Sequence, residues 1–217
     1  MVIDGGLAVH DMNLICGGGG KRPAGRKYLK SGMESSTDKT EPGPPIGNER
    51  RCRERYHIPN RRNRMPRVSN IEMLRRREQP TLSIRTRAKV EDLPMLIGES
   101  YCRMADYLKE LGELLSDVPY VAYHNMDMQD LDVEIGFPVS KVLPERGDIR
   151  SGSIPGGNVV FCIYRGAYRD MAPTYDEMAN WIEKNGLKPA GTVYEYYYNG
   201  PEFPESELLT MIVMPLL

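Results

Sequence analysis

Histidine is scarce in this 217-residue sequence. There are three, His10, His57 and His124, and none stands in a Ser-His-Asp or Cys-His arrangement, which removes the usual activated serine or cysteine nucleophile. Cysteine is sparse too: Cys16, Cys52, Cys102 and Cys162 share no CxxC spacing, so neither a zinc knuckle nor a dithiol redox motif can be read. Scattered thiols of this kind suit a reducing compartment. No run approaches the roughly 18 apolar residues of a membrane span, and the N-terminus lacks the continuous apolar stretch of a signal peptide. The GGGG run at 17–20 has neither the preceding strand nor the Lys-Ser/Thr ending of a phosphate loop. A cytoplasmic protein without metal or cofactor is the expectation.

Charge is not lacking, but it is unevenly placed. Residues 1–68 carry 14 Lys/Arg against 7 Asp/Glu, and residues 69–217 carry 15 against 23, which together give the net charge of -1. The first segment shows no hydrophobic periodicity, only stretches such as "CGGGGKRPAG" and "STDKTEPGPPIGNERRCRERY". Such a composition buries too little apolar surface to offset the entropy of ordering, so disorder is expected over 1–68. Its arginines, Arg50, Arg51, Arg53, Arg55, Arg61, Arg62, Arg64 and Arg67, have only Tyr56 as a stacking partner, and nucleic-acid contact through 50–67 is not expected. Met65 opens "MPRVSNIEML" directly before the first periodic segment, which raises the alternative that the first 64 residues are an over-extended reading of the gene.

From there the chain is regular, and with 40% hydrophobic residues in 24.6 kDa it can build a proper core. "NIEMLRRREQPTLSIRTRAK" reads as an extended segment interrupted at Pro80, with Leu82 and Ile84 on one face. Leu93, Leu96, Ile97, Tyr101, Met104, Leu108, Leu111 and Leu115 recur at spacings of three and four, an amphipathic helix. Two strands, "PYVAYHN" and "DLDVEIGFPVSKV", follow, and "PERGDIRSGSIPGG" reads as a connection. The order then repeats: the strand "NVVFCIYRGAY", the helix "TYDEMANWIEKNGL" with Thr174 and Glu177 as a capping box and Gly186 at its end, then "GTVYEYYYN" and "ELLTMIVMPL". Trp181, beside Met178 and Ile182, reads as core. The expected fold is α+β: tandem strand-helix-strand-strand repeats related by a pseudo-two-fold, with helices on one side of an antiparallel sheet and a ligand saddle on the other.

One stretch breaks the rule of its element. "VYEYYYNGPEF" places a carboxylate, Glu195, in a strand of tyrosines, where Glu is disfavoured and Tyr favoured. Alternation puts Glu195 and Tyr197 on one face and Tyr194, Tyr196 and Tyr198 on the other, the latter reading as packing toward the helices or the sheet edge.

The ordered pieces "EQPTLSIRTR", "LPMLIGESYCRMADYL", "YVAYHNMDMQDLDVEIGFPV", "LPERGDIRSGSIPGG", "YRGAY", "WIEKNGLKPAG" and "YEYYYNGPEFPESELLTMIVMPL" resemble the GyrI-like, or AraC-type effector-binding, small-molecule-binding domain. That SHS2-like domain occurs at the C-terminus of multidrug-sensing transcription activators and as stand-alone proteins, and the resemblance covers 69–217. It implies that the carboxylate of the "YExY" strand, Glu195, lies on the floor of an aromatic pocket, with Tyr197 on its face. Tyr123, Tyr164 and Tyr168 are the next candidates, and Glu134 in "DVEIG" is a second candidate acid. The sequence upstream shows no DNA-binding module, which departs from the activators.

The chemistry follows from the residue types. Desolvation raises the proton affinity of a buried acid, and a ligand cation restores the balance while tyrosine faces add roughly 0.5–2 kcal/mol each by cation–π attraction. A binder of aromatic, cationic molecules is the first reading. The second is a hydrolase of reactive, cyclopropane-type xenobiotics, in which Glu195 would act as general base. The third is a protein-binding module of the gyrase-inhibiting kind.

Overall fold

A computed structural model describes residues 67–217. The disorder and the alternative start expected for the preceding segment lie outside the described residues, as do all but one of its arginines. That one, Arg67, donates from Nε to Glu177 at 3.1 Å.

Alternating runs of Val, Ile, Leu and Tyr make eight strands, β1 (Glu72–Arg76), β2 (Gln79–Ala88), β3 (Tyr120–Tyr123), β4 (Leu131–Pro138), β5 (Arg150–Ile154), β6 (Gly157–Arg165), β7 (Val193–Tyr197) and β8 (Leu209–Pro215). They form one antiparallel sheet in the order β1-β6-β8-β7-β3-β4-β2-β5. Two helices cross it: α1 (Leu93–Leu111) follows β2, and α2 (Ala172–Lys184) follows β6. Each helix starts with proline in its first turn, where no backbone donor is lost. Each is followed by a glycine in the left-handed region, Gly112 (φ 68°) and Gly186 (φ 66°), a conformation that side chains with a Cβ resist. Among the described residues no helix is long and apolar enough to cross a membrane.

The strand pleat divides the core in two. Leu82, Ile84, Val121, Tyr123, Val133, Ile135, Cys162, Tyr197 and Ile212 share the face covered by both helices, packing against Ile97, Tyr101, Met104, Met178 and Ile182. Burying each large aliphatic among them contributes about 1.5–3 kcal/mol. The opposite face carries a smaller cluster, Tyr120, Ala122, Ile154, Val159, Tyr194, Tyr196 and Val213. Tyr194 and Tyr196 therefore pack away from the helices on a central strand, where the sequence suggested packing toward the helices or at the sheet edge. The helix pair covers the Val121–Glu195 row, which is flanked by Ile135 and Ile212.

The sheet curls. Its edge strands β1 and β5 each hand over within two residues, at Arg77–Glu78 and Pro155–Gly156, to β2 and β6 near the far side. The two links cross so closely that a Cβ on Gly156 would lie 2.8 Å from the Glu78 backbone nitrogen.

The tandem α+β repeat is present as β2-α1-β3-β4 and β6-α2-β7-β8. Three local details differ from expectation. Pro80 does not interrupt a strand: the break falls at Arg77–Glu78, and Pro80 sits inside β2. "PERGDIRSGSIPGG" contains the edge strand β5, pairing with β2. α2 begins before Thr174, which is buried inside its first turn, so no capping box forms and Glu177 turns to Arg67 instead.

Candidate functional site

Glu195 lies in the middle of the sheet, on β7, directly opposite Val121 of β3 and Ile212 of β8. Its face is the helix-bearing one, so the acid and the surface left open by the helices are different surfaces. The side chain is 1% exposed. Tyr175 of α2 donates its hydroxyl hydrogen to Oε1, and Tyr197 donates to Oε2 at 2.7 Å. The Tyr197 hydroxyl lies 3.2 Å from that of Tyr123. With the Tyr197 proton committed to the carboxylate, Tyr123 is the donor in that contact. Tyr168 stands edge-on to the Tyr197 ring, centroids 5.6 Å apart at 83°.

The electrostatics follow from burial. Desolvation pushes the Glu195 carboxyl above its usual range, against the hydroxyl donors Tyr175 and Tyr197, which pull it down. Burial also drives Tyr123, Tyr175 and Tyr197 well above the ordinary phenol value, and the Glu195 charge adds to it. All three remain donors, and among the described residues Glu195 is met by hydroxyl dipoles alone.

Of the residues singled out in the sequence, Glu195, Tyr197, Tyr123 and Tyr168 come together. Tyr164 shares their face but gives its hydroxyl to the Ala167 carbonyl at 2.8 Å, not to the acid, and burial pushes it up to about 12. Glu134 does not join them, because it points to the opposite face. There it accepts from Tyr120 at 2.6 Å and lies 3.3 Å from His124 Nε2. Burial raises its carboxyl, but hydrogen bonds from His124, Tyr120 and Ser83 outweigh that and hold it below the usual value.

Sequence reasoning missed Tyr175, and with it Tyr101. The signal was an internal repeat at an offset of 74 residues: "SYCRMADYLKELG" from Ser100 and "TYDEMANWIEKNG" from Thr174 match at Tyr101/Tyr175, Met104/Met178, Ala105/Ala179 and Gly112/Gly186. The same offset carries Tyr120 onto Tyr194 and Tyr123 onto Tyr197, and it carries Val121 onto Glu195. The pseudo-two-fold thus runs through the Val121–Glu195 pair, with tyrosines repeated on both sides and the acid on one. Without an acid on its own side, Tyr101 turns its hydroxyl toward the Tyr120 carbonyl at a long 3.5 Å.

A separate cavity of about 350 Å³ lies between α1 and the β4–β5 connection, lined by Arg103, Asp106, Glu110, Arg146 and Asp148. Its charges are met locally, Arg103 by Asp148 and Arg146 by Glu110, and its carboxylates are exposed.

Comparison with known proteins agrees with this architecture. The EcmrR C-terminal domain superposes with a TM-score of 0.59 at 22% identity, covering 69% of this chain and 98% of that one. EcmrR in a cryo-EM complex with DNA gives 0.60 at 20%, covering 71% and 59%. A hydrolase from Listeria innocua gives 0.54 at 13%, covering 68% and 92%. At these identities the likeness is one of fold. Among curated proteins none matches the chain in sequence. The sequence pattern of the GyrI-like small molecule binding domain matches residues 69–217, and the chain belongs to that family.

Proposed function

We propose that residues 69–217 bind apolar, aromatic cations at Glu195, in an effector-binding or sequestering role. The observation that carries the reading is the buried carboxylate that, among the described residues, is held by phenol hydroxyls alone. A cation seated there would replace hydroxyl dipoles by a full countercharge, and the rings of Tyr123, Tyr168 and Tyr197 would supply its walls. Tyr175 is the partly exposed member of the cluster, so a ligand would reach Glu195 by displacing that hydroxyl. The remaining candidates take lesser parts: Tyr164 as a wall, and Glu134 outside the pocket, as a support of the opposite face.

The test is a thermal-shift and calorimetric titration of the full chain with cationic dyes and neutral aromatic analogues of similar shape. Cations should stabilise the wild type, and Glu195→Gln should weaken them about 10-fold or more while changing neutral analogues little, since a charge-assisted contact is worth roughly 1.5–3 kcal/mol. Equal weakening of both classes would remove the electrostatic role. Mass spectrometry of the recovered ligand separates binding from the hydrolytic reading: the binder returns it intact, whereas a hydrolase using Glu195 as base would convert it in the wild type alone.

A further inference from the structure

We infer that the Thr210 hydroxyl is a second polar contact of the Glu195 site and makes it selective for cations that carry N–H groups over N-alkylated cations of the same shape. This rests on the cation reading above.

Thr210 is fully buried, and its hydroxyl oxygen has no hydrogen-bond partner among the described residues. It stands on the helix-bearing face of β8, with Tyr197 and Tyr164 as its cross-strand partners. Both neighbouring phenols are committed elsewhere, Tyr197 to Glu195 and Tyr164 to the Ala167 carbonyl. A buried hydroxyl in that state has given up water and received nothing in return.

The internal repeat shows that this is a property of one half. Val133 holds the same place beside Tyr123 that Thr210 holds beside Tyr197, as Val121 holds the place of Glu195. One half therefore presents Val121 and Val133 among its tyrosines, and the other presents Glu195 and Thr210. The two polar residues are diagonal neighbours on adjacent strands, roughly 7–8 Å apart at the backbone. Side-chain reach brings their acceptor atoms within the span of a forked N–H cation. A permethylated cation satisfies the charge of Glu195 but offers Thr210 no donor.

The test uses an N-unsubstituted rhodamine ester and its N-permethylated analogue, titrated into the full chain and its Thr210→Val, Thr210→Ser and Glu195→Gln variants. The wild type should bind the N–H dye more tightly by roughly 10-fold or more, the range of one hydrogen bond from a charged donor. Thr210→Val should lower that ratio by weakening the N–H dye alone, Glu195 keeping its own share of the preference, and Thr210→Ser should keep it whole. An unchanged ratio in Thr210→Val, or equal weakening of both dyes, overturns the inference while leaving the cation reading intact. Loss of neither dye in Glu195→Gln, or binding of neither to the wild type, overturns both. A readout without ligand completes the test: Thr210→Val should raise the thermal midpoint, because it removes an unpaired hydroxyl, and a lowered midpoint would show that the fold itself uses the hydroxyl.

Discussion

Glu195 and Glu134 carry the same functional group on opposite faces of one sheet, and their surroundings push them in opposite directions. Glu134, partly open to water and held by His124, Tyr120 and Ser83, is kept ionised. Glu195, sealed from water, resists ionisation despite two phenol donors. The consequence for stability has a definite sign. A carboxyl whose proton affinity is higher in the folded chain costs nothing below its unfolded value of about 4.3 and destabilises increasingly as pH rises through its folded value. Glu195→Gln should therefore match the wild type near pH 4 and exceed it toward pH 8, in the absence of ligand. The difference should grow no faster than about 1.4 kcal/mol per pH unit, the limit for a single proton. Urea denaturation across that range measures it, and a gap that shrinks with rising pH would show Glu195 to be held as a stable anion.

At the level of strands, a close approach fixes how β3 lies on β4. Tyr120 folds its ring over Gly136, its cross-strand partner, so tightly that a Cβ there would fall 2.3 Å from the ring. Gly136→Ala should destabilise the chain by about 1–3 kcal/mol, and chemical denaturation should show most of that increment absent when the substitution is made in a Tyr120→Ala background. The alternation of β4 and β7 was legible in the sequence, because a period of two assigns faces without further information. Which face the helices would take was not. Both faces of β7 are fully buried, Tyr194 and Tyr196 on one side and Glu195 and Tyr197 on the other, so hydrophobicity alone could not choose, and Tyr outranks Glu on any scale of burial. β5 escaped for a different reason: "RSGSI" is an exposed edge strand with no apolar stripe to announce it.

The whole domain is two copies of one motif with a single polar side. The order of strands and helices could be read as a tandem repeat from the sequence, and Glu195 could be picked out as the residue foreign to its strand. Tyr175 could not be found from strand alternation, since it reaches the acid from a helix and its mark in the sequence is the match with Tyr101. The symmetry makes a prediction at this scale. Val121→Glu would set a second carboxylate directly across from Glu195, within the same dry layer, where like charges oppose one another. The variant should lose about 3 kcal/mol or more at pH 8, lose much less near pH 5, and recover part of the loss when combined with Glu195→Gln. Thermal melts at the two pH values decide it.

The seam that carries the acid joins residues 120–123 to 193–197, positions some 70 residues apart in the chain. Within each half the pairings are closer in sequence, β3 with β4 and β7 with β8 across short hairpins and β2 with β4 and β6 with β8 across one helix-bearing connection, so this pairing closes a longer loop. The centre of the domain is therefore expected to be a late meeting rather than a nucleus, and φ-values near zero at Val121 would bear that out. Changes made there should then act mainly on how long the folded state lasts and little on how quickly it is reached, leaving the site free to vary its chemistry without obstructing the assembly of the protein around it.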